Sequence, residues 1–243
     1  METINITKEE FDSFIPLKRN IVHTDGELVY KKSFFSLKSL ELLDILIQVN
    51  EINVPSLAFP IANLTVNNRD FGYITKYYKD YYTKDVALKK EKYYFKDKFL
   101  VINRLINAVK KMHSEGIVHG DLHEHNIIFN KNDLKIIDFD NMRIKDFSNS
   151  DTYRYKNIVD IKYLVVYILN FLSDDNSLDT AFKIIPFIDL LDISNAFKKY
   201  LKDCIYEKES IIGFYPDEFI SEITGSIEIQ AKSLVKGLKY GNY

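Results

Sequence analysis

Apolar residues recur every three or four positions between residues 99 and 112, which is the spacing of one face of an α-helix. They are Phe99, Leu100, Ile102, Leu105, Ile106, Val109 and Met112. Gly116 follows them, and glycine is a common helix stop. The pattern predicts a buried helix that ends at Gly116, after which Ile117 and Val118 form a short strand.

Two short apolar runs flank a polar turn further along the chain. Residues 127–129 read Ile-Ile-Phe and residues 134–137 read Leu-Lys-Ile-Ile, while the Asn-Lys-Asn-Asp of residues 130–133 has the composition of a turn. This pattern predicts a β-hairpin. The hairpin would bring Asn126, before its first strand, close to Asp138, after its second.

Two more strands are predicted upstream, over residues 27–32 and 70–78. The first follows the turn pair Asp25-Gly26. Its two-residue period places Val29 and Lys31 on one face and Lys32 on the other. A helix is predicted after it, from about residue 37 to residue 49.

The remaining segments differ in polarity. Residues 79–98 are rich in Lys and Tyr and are predicted to form a solvated helix and loop, and residues 142–157 a short polar segment. An apolar helix is predicted over residues 158–172, followed by helices over residues 182–200 and 219–238. The last hundred residues are therefore expected to be helical.

Composition and charge narrow the class of protein. The chain has 243 residues, 46% of them hydrophobic, so it can bury a substantial core. A net charge of −2 argues against a nucleic-acid partner, and no stretch reaches the apolar length of a membrane span. The first residues lack the features of a signal peptide, and the single cysteine, Cys204, cannot form an internal disulfide. A cytoplasmic location is expected.

The most informative polar residues surround the predicted hairpin. Residues 119–126 read His-Gly-Asp-Leu-His-Glu-His-Asn, and residues 136–140 read Ile-Ile-Asp-Phe-Asp. The patterns H-x-D-x-x-x-x-N and D-F-x closely resemble the catalytic loop and the metal-binding segment of the protein-kinase-like superfamily. The run H-G-D-L-H resembles in particular its small-molecule branch, the aminoglycoside and choline kinases.

The resemblance implies an α+β, two-lobed protein-kinase-like fold. A small β-rich N-lobe with one main helix would occupy residues 1–76, and a larger, mostly helical C-lobe residues 77–243, together forming a single kinase-like domain. ATP and Mg²⁺ are the implied nucleotide and metal. The implied partner is a hydroxyl acceptor.

Three side chains of the motifs have the chemistry that phosphoryl transfer needs. The γ-phosphate must be held in line with a hydroxyl while a metal neutralises its oxygens. By the resemblance, Asp121 accepts or orients the hydroxyl, and Asn126 and Asp138 bind Mg²⁺, which prefers hard oxygen ligands. His119 would pack under the loop and have a structural role.

A zinc site is the competing interpretation of the same segment. His119, His123 and His125 carry imidazoles, which are good zinc ligands. The kinase interpretation is preferred because it uses the whole motif, whereas zinc would leave Asn126 and Asp138 without a role.

Lys31 is the candidate for positioning the ATP phosphates. Its strand matches the apolar-x-Lys spacing of the resembled kinases, and Lys32 is the alternative if the strand register is shifted by one. Glu41, in the helix that follows, would form the ion pair that orients Lys31. Asp44, on a neighbouring face of that helix, is the competing partner.

Two further positions gain a role from the resemblance. Thr75 would be the gatekeeper of the hinge strand, and the backbone around Tyr77 would hydrogen-bond the adenine edge. In the apolar helix, Asp160 would hydrogen-bond the backbone of the catalytic loop. The alternative for Asp160 is capping of the helix N-terminus.

The chain also departs from the kinase pattern. There is no glycine-rich G-x-G-x-x-G loop, since the first glycine is Gly26. Either the hairpin at residues 24–26 helps to cover the phosphates, or the nucleotide is more exposed than usual. The metal motif ends in Asp140 instead of glycine, so Asp140 would be a second metal contact or a partner of the neighbouring backbone. No A-P-E sequence follows.

Three functions therefore compete. The first is an ATP- and Mg²⁺-dependent kinase that acts on protein Ser or Thr hydroxyls, and the second is a small-molecule kinase of the aminoglycoside and choline type. The third, favoured by the missing glycine-rich loop, is a pseudokinase that binds a nucleotide or a partner without turnover. An active kinase is preferred because all four key side chains, those of residues 31, 121, 126 and 138, are present.

Overall fold

The computed structural model describes residues 2–18, 21–32 and 54–240. The chain divides into two compact units, the first comprising Met1–Tyr81 and Ile137–Asp140 and the second Tyr82–Ile136 and Asn141–Tyr243. The first unit is rich in β-strands and the second is mostly helical. The predicted α+β class is confirmed. The division of a single domain at residue 76 stays a prediction.

A six-stranded sheet forms most of the first unit. Its strands are β1 (Thr3–Ile6), β2 (Ile15–Lys18), β3 (Val22–Thr24), β4 (Leu28–Lys32), β5 (Ala62–Val66) and β6 (Arg69–Lys76). They lie in the order β1-β5-β6-β4-β3-β2, with β1 parallel to β5 and the other pairs antiparallel. A short helix, α1 (Lys8–Ser13), connects β1 to β2. The strands predicted over residues 27–32 and 70–78 are confirmed as β4 and β6.

The two faces of this sheet differ. One face packs into an apolar cluster formed by Phe11, Tyr30, Ala62, Leu64, Val66 and Ile74. On the other face, the pairing of β4 with β6 sets Lys31 opposite Tyr73 and Val29 opposite Thr75. The helix predicted over residues 37–49, with Glu41 and Asp44, lies outside the described residues.

The second unit contains six described helices and two small strand pairs. The helices are α2 (Lys84–Lys90), α3 (Phe95–Ser114), α4 (Ser150–Ser173), α5 (Ala181–Leu190), α6 (Asn195–Ile205) and α7 (Gly225–Tyr240). The strand pairs are β7 (Ile117–Val118) with β10 (Arg143–Ile144) and β8 (Ile127–Phe129) with β9 (Leu134–Ile136). Helix α4 is central, since it packs against α3, α6 and α7. Among the described residues, no helix is long and apolar enough to cross a membrane.

The elements that position the motif were predicted from local patterns. Helix α3 ends at Ser114, two residues before Gly116, and β7 follows it. The predicted hairpin is confirmed by the antiparallel pair β8–β9, in which Ile127 lies opposite Ile136. Asn130 closes its turn, because its side-chain oxygen accepts hydrogen bonds from the amides of residues 132 and 133.

Three predicted helix boundaries are wrong. The last helix, predicted over residues 219–238, begins at Gly225, after a separate 3₁₀ helix over Pro216–Glu222. The polar segment over residues 142–157 is largely helical, because Asn149 caps α4 by accepting hydrogen bonds from the amides of Asp151 and Thr152. The helix predicted over residues 182–200 is two helices. The second of them is α6, which is capped by Ser194, whose Oγ accepts a hydrogen bond from the Phe197 amide at 3.1 Å.

Residues 79–98 are not uniformly solvated, because the side chains of Lys84 and Lys98 are only 1% and 0% exposed. Lys98 contacts Asp174 and lies 2.7 Å from Glu228. Lys84 lies 3.3 Å from Glu124 in the motif segment. Burial lowers the pKa of Lys84, and the nearby Glu124 carboxylate opposes that shift. Both lysines are buried because the fold supplies carboxylates that are distant in sequence.

We expect Lys98→Ala to lower the free energy of unfolding by about 3 kcal/mol, because Lys232, 2.9 Å away, is then the one described cation left beside the buried Glu228 carboxylate. Urea denaturation measures the change. The control is Lys96→Ala, an exposed lysine of the same helix, for which we expect a change below about 0.5 kcal/mol. Equal losses in the two variants would contradict a buried ion-pair network.

Cys204 lies in the core of the second unit, and burial raises the pKa of its thiol to about 12. Since the thiolate is the reactive form, we expect a disulfide reagent at pH 8 to leave this thiol unmodified in the folded protein and to modify it promptly in urea. Mass spectrometry of the labelled protein follows the reaction. Fast labelling without denaturant would contradict the assigned core position.

Candidate active site

The motif loop, residues 119–126, connects β7 to β8, and the Asp160 side chain stabilises its first residues. This carboxylate is completely buried in α4 and accepts hydrogen bonds from the amides of His119 at 2.7 Å and Gly120 at 2.8 Å. The predicted support of the loop by Asp160 is confirmed. The capping alternative is wrong, because α4 begins ten residues earlier, at Ser150.

Gly120 occupies a position where a side chain cannot fit. Its φ is +74°, and an added Cβ would lie 2.6 Å from Lys156 Cδ and 2.8 Å from the carbonyl oxygen of Asn141. Lys156 is fixed there, because its ammonium donates a hydrogen bond to the Gly120 carbonyl at 3.0 Å. Glycine is therefore required for the loop to reach Asp121 in this conformation.

We expect Gly120→Ala to displace the loop and to reduce any phosphotransfer by at least about tenfold, since small misplacements of reacting groups are costly. The matched control is Gly213→Ala, in the same unit, with φ +82° and no atom within 4 Å of the added Cβ. It adds backbone strain of about 1 kcal/mol without the clash. Equal activity in the two variants would show that the close approach at Gly120 is unimportant.

Asp121 is about one-third exposed and lies between two polar side chains. Asn141 Nδ2 is 3.4 Å from its carboxylate, and His123 Nε2 is 3.6 Å from it. His123 Nδ1 accepts a hydrogen bond from the His125 amide at 3.2 Å, and its Nε2, which faces Asp121, also lies 3.4 Å from Asn126 Nδ2. The sequence analysis missed both neighbours, although the position of His123 two residues after Asp121 was a usable signal.

Asn126 is 3% exposed and is oriented by the same loop. Its Nδ2 donates a hydrogen bond to the Asp121 carbonyl at 2.8 Å. Because the amide nitrogen is used in this way, the side-chain oxygen is the atom that can meet a hard cation.

In the first unit, the ammonium of Lys31 contacts two carboxylates. It forms an ion pair with Asp138 and lies 2.8 Å from Asp140 Oδ2. Lys32 is on the other face of β4, with its ammonium 5.5 Å from the ring of Phe71. Residues 138–140 form the D-F-D segment, and the structure brings Lys31, and not Lys32, into contact with it.

The backbone and charge at Asp138 are unusual. Its φ of +68° is a left-handed conformation that costs about 1 kcal/mol, and aspartate tolerates it better than most residues. Burial, with the carboxylates of Asp140 and Asp138, raises the pKa of Tyr73 well above its usual value, so this phenol stays neutral. One lysine thus faces two carboxylates. Their excess negative charge and hard oxygen atoms fit Mg²⁺.

The adenine contacts predicted from the hinge strand are only partly available. Thr75 is half-buried in β6, on the same sheet face as Lys31. The Tyr77 amide donates a hydrogen bond to the Glu27 carbonyl at 2.9 Å, so it is already used within the protein. A base would have to bind the Tyr77 carbonyl or neighbouring backbone groups.

The zinc interpretation gains no support in the part of the chain that the structure describes, where no group of three or more His, Cys, Asp or Glu side chains is arranged to hold a metal ion. His119 is completely buried, and its Nδ1 accepts a hydrogen bond from the Asp121 amide at 3.3 Å. Its predicted role in holding the loop agrees with this contact.

The predicted site residues therefore form two described groups. Asp121 and Asn126 meet in the second unit, and Lys31 and Asp138 meet in the first. That the two groups serve one nucleotide and one acceptor stays a prediction.

Comparison with known families bears on the motif segment. The family model described as "Protein kinase domain" matches residues 64–165, which include the hinge strand, the motif loop and Asp138. Over these residues the chain is similar to the protein-kinase-like superfamily. Lys31 precedes the matched residues, so its assignment depends on its contacts with Asp138 and Asp140.

A similar protein is "Putative serine/threonine-protein kinase L673" of Acanthamoeba polyphaga mimivirus. The two sequences are 35% identical over 72 residues, which are 30% of this chain and 13% of that protein. The similarity therefore covers a small part of the viral protein's length.

Proposed function

We propose that this kinase-like protein is an ATP- and Mg²⁺-dependent phosphotransferase that transfers the γ-phosphate of ATP to a hydroxyl. The observation that supports this function most strongly is the contact of Lys31 with Asp138, two charged residues 107 positions apart in the sequence. A phosphate-binding lysine beside a metal-binding aspartate is the arrangement that nucleotide-dependent phosphoryl transfer needs.

Each proposed role follows from the chemistry of its side chain. Lys31 binds phosphate oxygens, and Asp138 and Asn126 hold Mg²⁺, which when bound neutralises charge on the phosphates. Asp121 accepts a hydrogen bond from the acceptor hydroxyl and directs its oxygen toward the phosphorus. Thr75 and the backbone near Tyr77 form one wall of the adenine site.

Serine and threonine hydroxyls of proteins are the first candidate acceptor. The name of the viral relative supports this choice. So does the match to a protein kinase domain, because it includes the whole motif loop.

A small-molecule acceptor is the second candidate, and two observations favour it. Only residues 139–149 separate Asp138 from the start of α4, which leaves little chain for a protein-substrate platform. Beside the motif loop lies a cavity of about 240 Å³, lined in part by His123, Tyr163 and Asn170. This volume suits a small polar molecule better than an extended peptide.

The acceptor assay uses purified protein, ATP labelled at the γ-phosphate, and Mg²⁺, with a serine and threonine peptide library in one arm and small alcohols, including aminosugars and choline, in the other. Label on peptide or on the protein itself supports the first acceptor, and label on a small alcohol supports the second. Asp192→Asn, an exposed carboxylate in the second unit, is the control that should transfer label normally. Failure to bind ATP in calorimetry, with or without Mg²⁺, would overturn the proposed function.

A further inference from the structure

The D-F-D segment places a second carboxylate against Lys31. Asp140 lies on the short 3₁₀ helix Phe139–Asn141, and its Oδ2 is 2.8 Å from the Lys31 ammonium. The side chains of Lys31 and Asp140 are 12% and 17% exposed, whereas that of Asp138 is 28% exposed. Because Asp140 is less exposed than Asp138, solvent screens the attraction between Lys31 and Asp140 less than the attraction between Lys31 and Asp138.

Neighbouring groups leave the charge of this cluster unbalanced. Neutral Tyr73 lies opposite Lys31 in the strand pairing, with its ring centre 5.4 Å from the ammonium. Among the described residues, Lys31 is the cation that contacts these two carboxylates, so their negative charge exceeds its positive charge. This excess favours the binding of a second cation beside Lys31. With a bound metal ion as the second cation, one carboxylate can pair with the metal and the other with Lys31.

We propose that Asp140 is the positioning residue that holds Lys31 when Asp138 turns its oxygens to Mg²⁺. This inference depends on the proposed function for its ATP step, but the Lys31–Asp140 pair itself exists without nucleotide. Of the two carboxylates, Asp138 is the better metal ligand because it is more exposed to a hydrated ion, which keeps several of its waters. The aspartate that replaces glycine in this motif thereby acquires a role that differs from metal binding.

The alternative role, a second metal ligand, makes different predictions. The loss of a metal ligand raises the Mg²⁺ concentration needed for half-maximal ATP binding. Its effect on ATP affinity also adds to the effect of losing Lys31. A positioning residue acts through Lys31, so its loss has no further effect once Lys31 is gone.

A double-mutant cycle with Asp140→Asn, Lys31→Met and the double variant tests this. We expect Asp140→Asn to weaken ATP binding at saturating Mg²⁺ by about tenfold, as for the loss of a charge-assisted hydrogen bond, and to have no effect in the Lys31→Met background. The Mg²⁺ concentration for half-maximal binding should not change. Asp140→Glu, which keeps the charge, should recover part of the affinity, and Asp70→Asn, an exposed carboxylate of β6, should leave it unchanged.

The same variants are also compared without nucleotide, by urea unfolding. A coupling between Asp140→Asn and Lys31→Met of about tenfold in the unfolding equilibrium constant supports the Lys31–Asp140 pair. If this coupling is found but ATP does not bind, the proposed function fails and the pair does not. Additive effects in unfolding would overturn the inference. An increased Mg²⁺ requirement in Asp140→Asn, additive with Lys31→Met, would overturn it in favour of a metal ligand.

Discussion

Replacement of Asp138 by alanine is expected to reduce Mg²⁺-dependent ATP turnover by about 10³-fold or more. Each tenfold loss corresponds to about 1.4 kcal/mol, and charge neutralisation by a bound metal contributes several kcal/mol to the barrier. The variant removes one carboxylate from the cluster, while Asp140 remains 2.8 Å from Lys31. The folded structure should therefore persist, and the loss should appear as a failure to bind Mg²⁺ with the nucleotide.

Two comparisons make the Asp138 result specific. Asp70→Ala removes an exposed carboxylate from the same unit and should keep full turnover. Asp138→Asn keeps the shape of the side chain but not its charge, so it should resemble Asp138→Ala. Turnover within about threefold of the unmodified protein in Asp138→Ala, at a Mg²⁺ concentration that is not saturating, would show that another group binds the metal.

Replacement of Asp121 by asparagine is expected to separate binding from chemistry. General-base assistance contributes about 10²- to 10⁴-fold, so phosphotransfer should fall by that factor. Asp121 lies in the second unit, and the described polar neighbours of its carboxylate are Asn141 and His123. Neither Asn141 nor His123 is a proposed nucleotide contact, and the hydrogen bond from Asn126 is to the backbone carbonyl of Asp121, which the substitution keeps. The dissociation constant for MgATP should therefore stay within about twofold. Calorimetry gives the affinity, and a label-transfer assay gives the rate.

The control for Asp121 is Asp192→Asn, which neutralises an exposed carboxylate of the same unit and should change neither quantity. A variant Asp121→Asn that loses MgATP affinity and transfer by the same factor would contradict the assigned role, because it would place Asp121 at the nucleotide and not at the acceptor.

The local patterns of the sequence were enough to predict the elements around the motif. The α3 helix and the β8–β9 hairpin depend on apolar spacing and on turn residues within a few positions, such as Asn130. The support of the loop by Asp160 was also predictable, but only through the resemblance, because its hydrogen bonds reach 40 and 41 residues back along the chain.

Features that depend on distant partners could not be predicted in this way. Lys84 and Lys98 belong to a segment whose composition is typical of a solvated surface. They are buried because carboxylates from distant parts of the sequence, such as Glu228, pair with them. The parallel pairing of β1 with β5 joins segments about sixty residues apart and has no local signal.

Other errors had a signal that was overlooked. Asn149 and Ser194 are residues of the type that caps helices, and each stands where a helix begins.

In the site, Lys31 and Asp138 were chosen from spacing and resemblance, and the structure brings them into contact. The additional contacts of Asp140 and Asn141 arise from tertiary structure, so the sequence left the role of Asp140 open.

The most direct test of the central claim is the release of labelled γ-phosphate from ATP, measured with and without Mg²⁺ and regardless of which acceptor receives it. We expect a Mg²⁺-dependent loss of label from ATP. It should disappear in Asp138→Ala and fall by orders of magnitude in Asp121→Asn, which should still bind MgATP. Label that stays on ATP in every condition, or loss of label that both variants retain, would contradict the assignment of this chain as an active phosphotransferase.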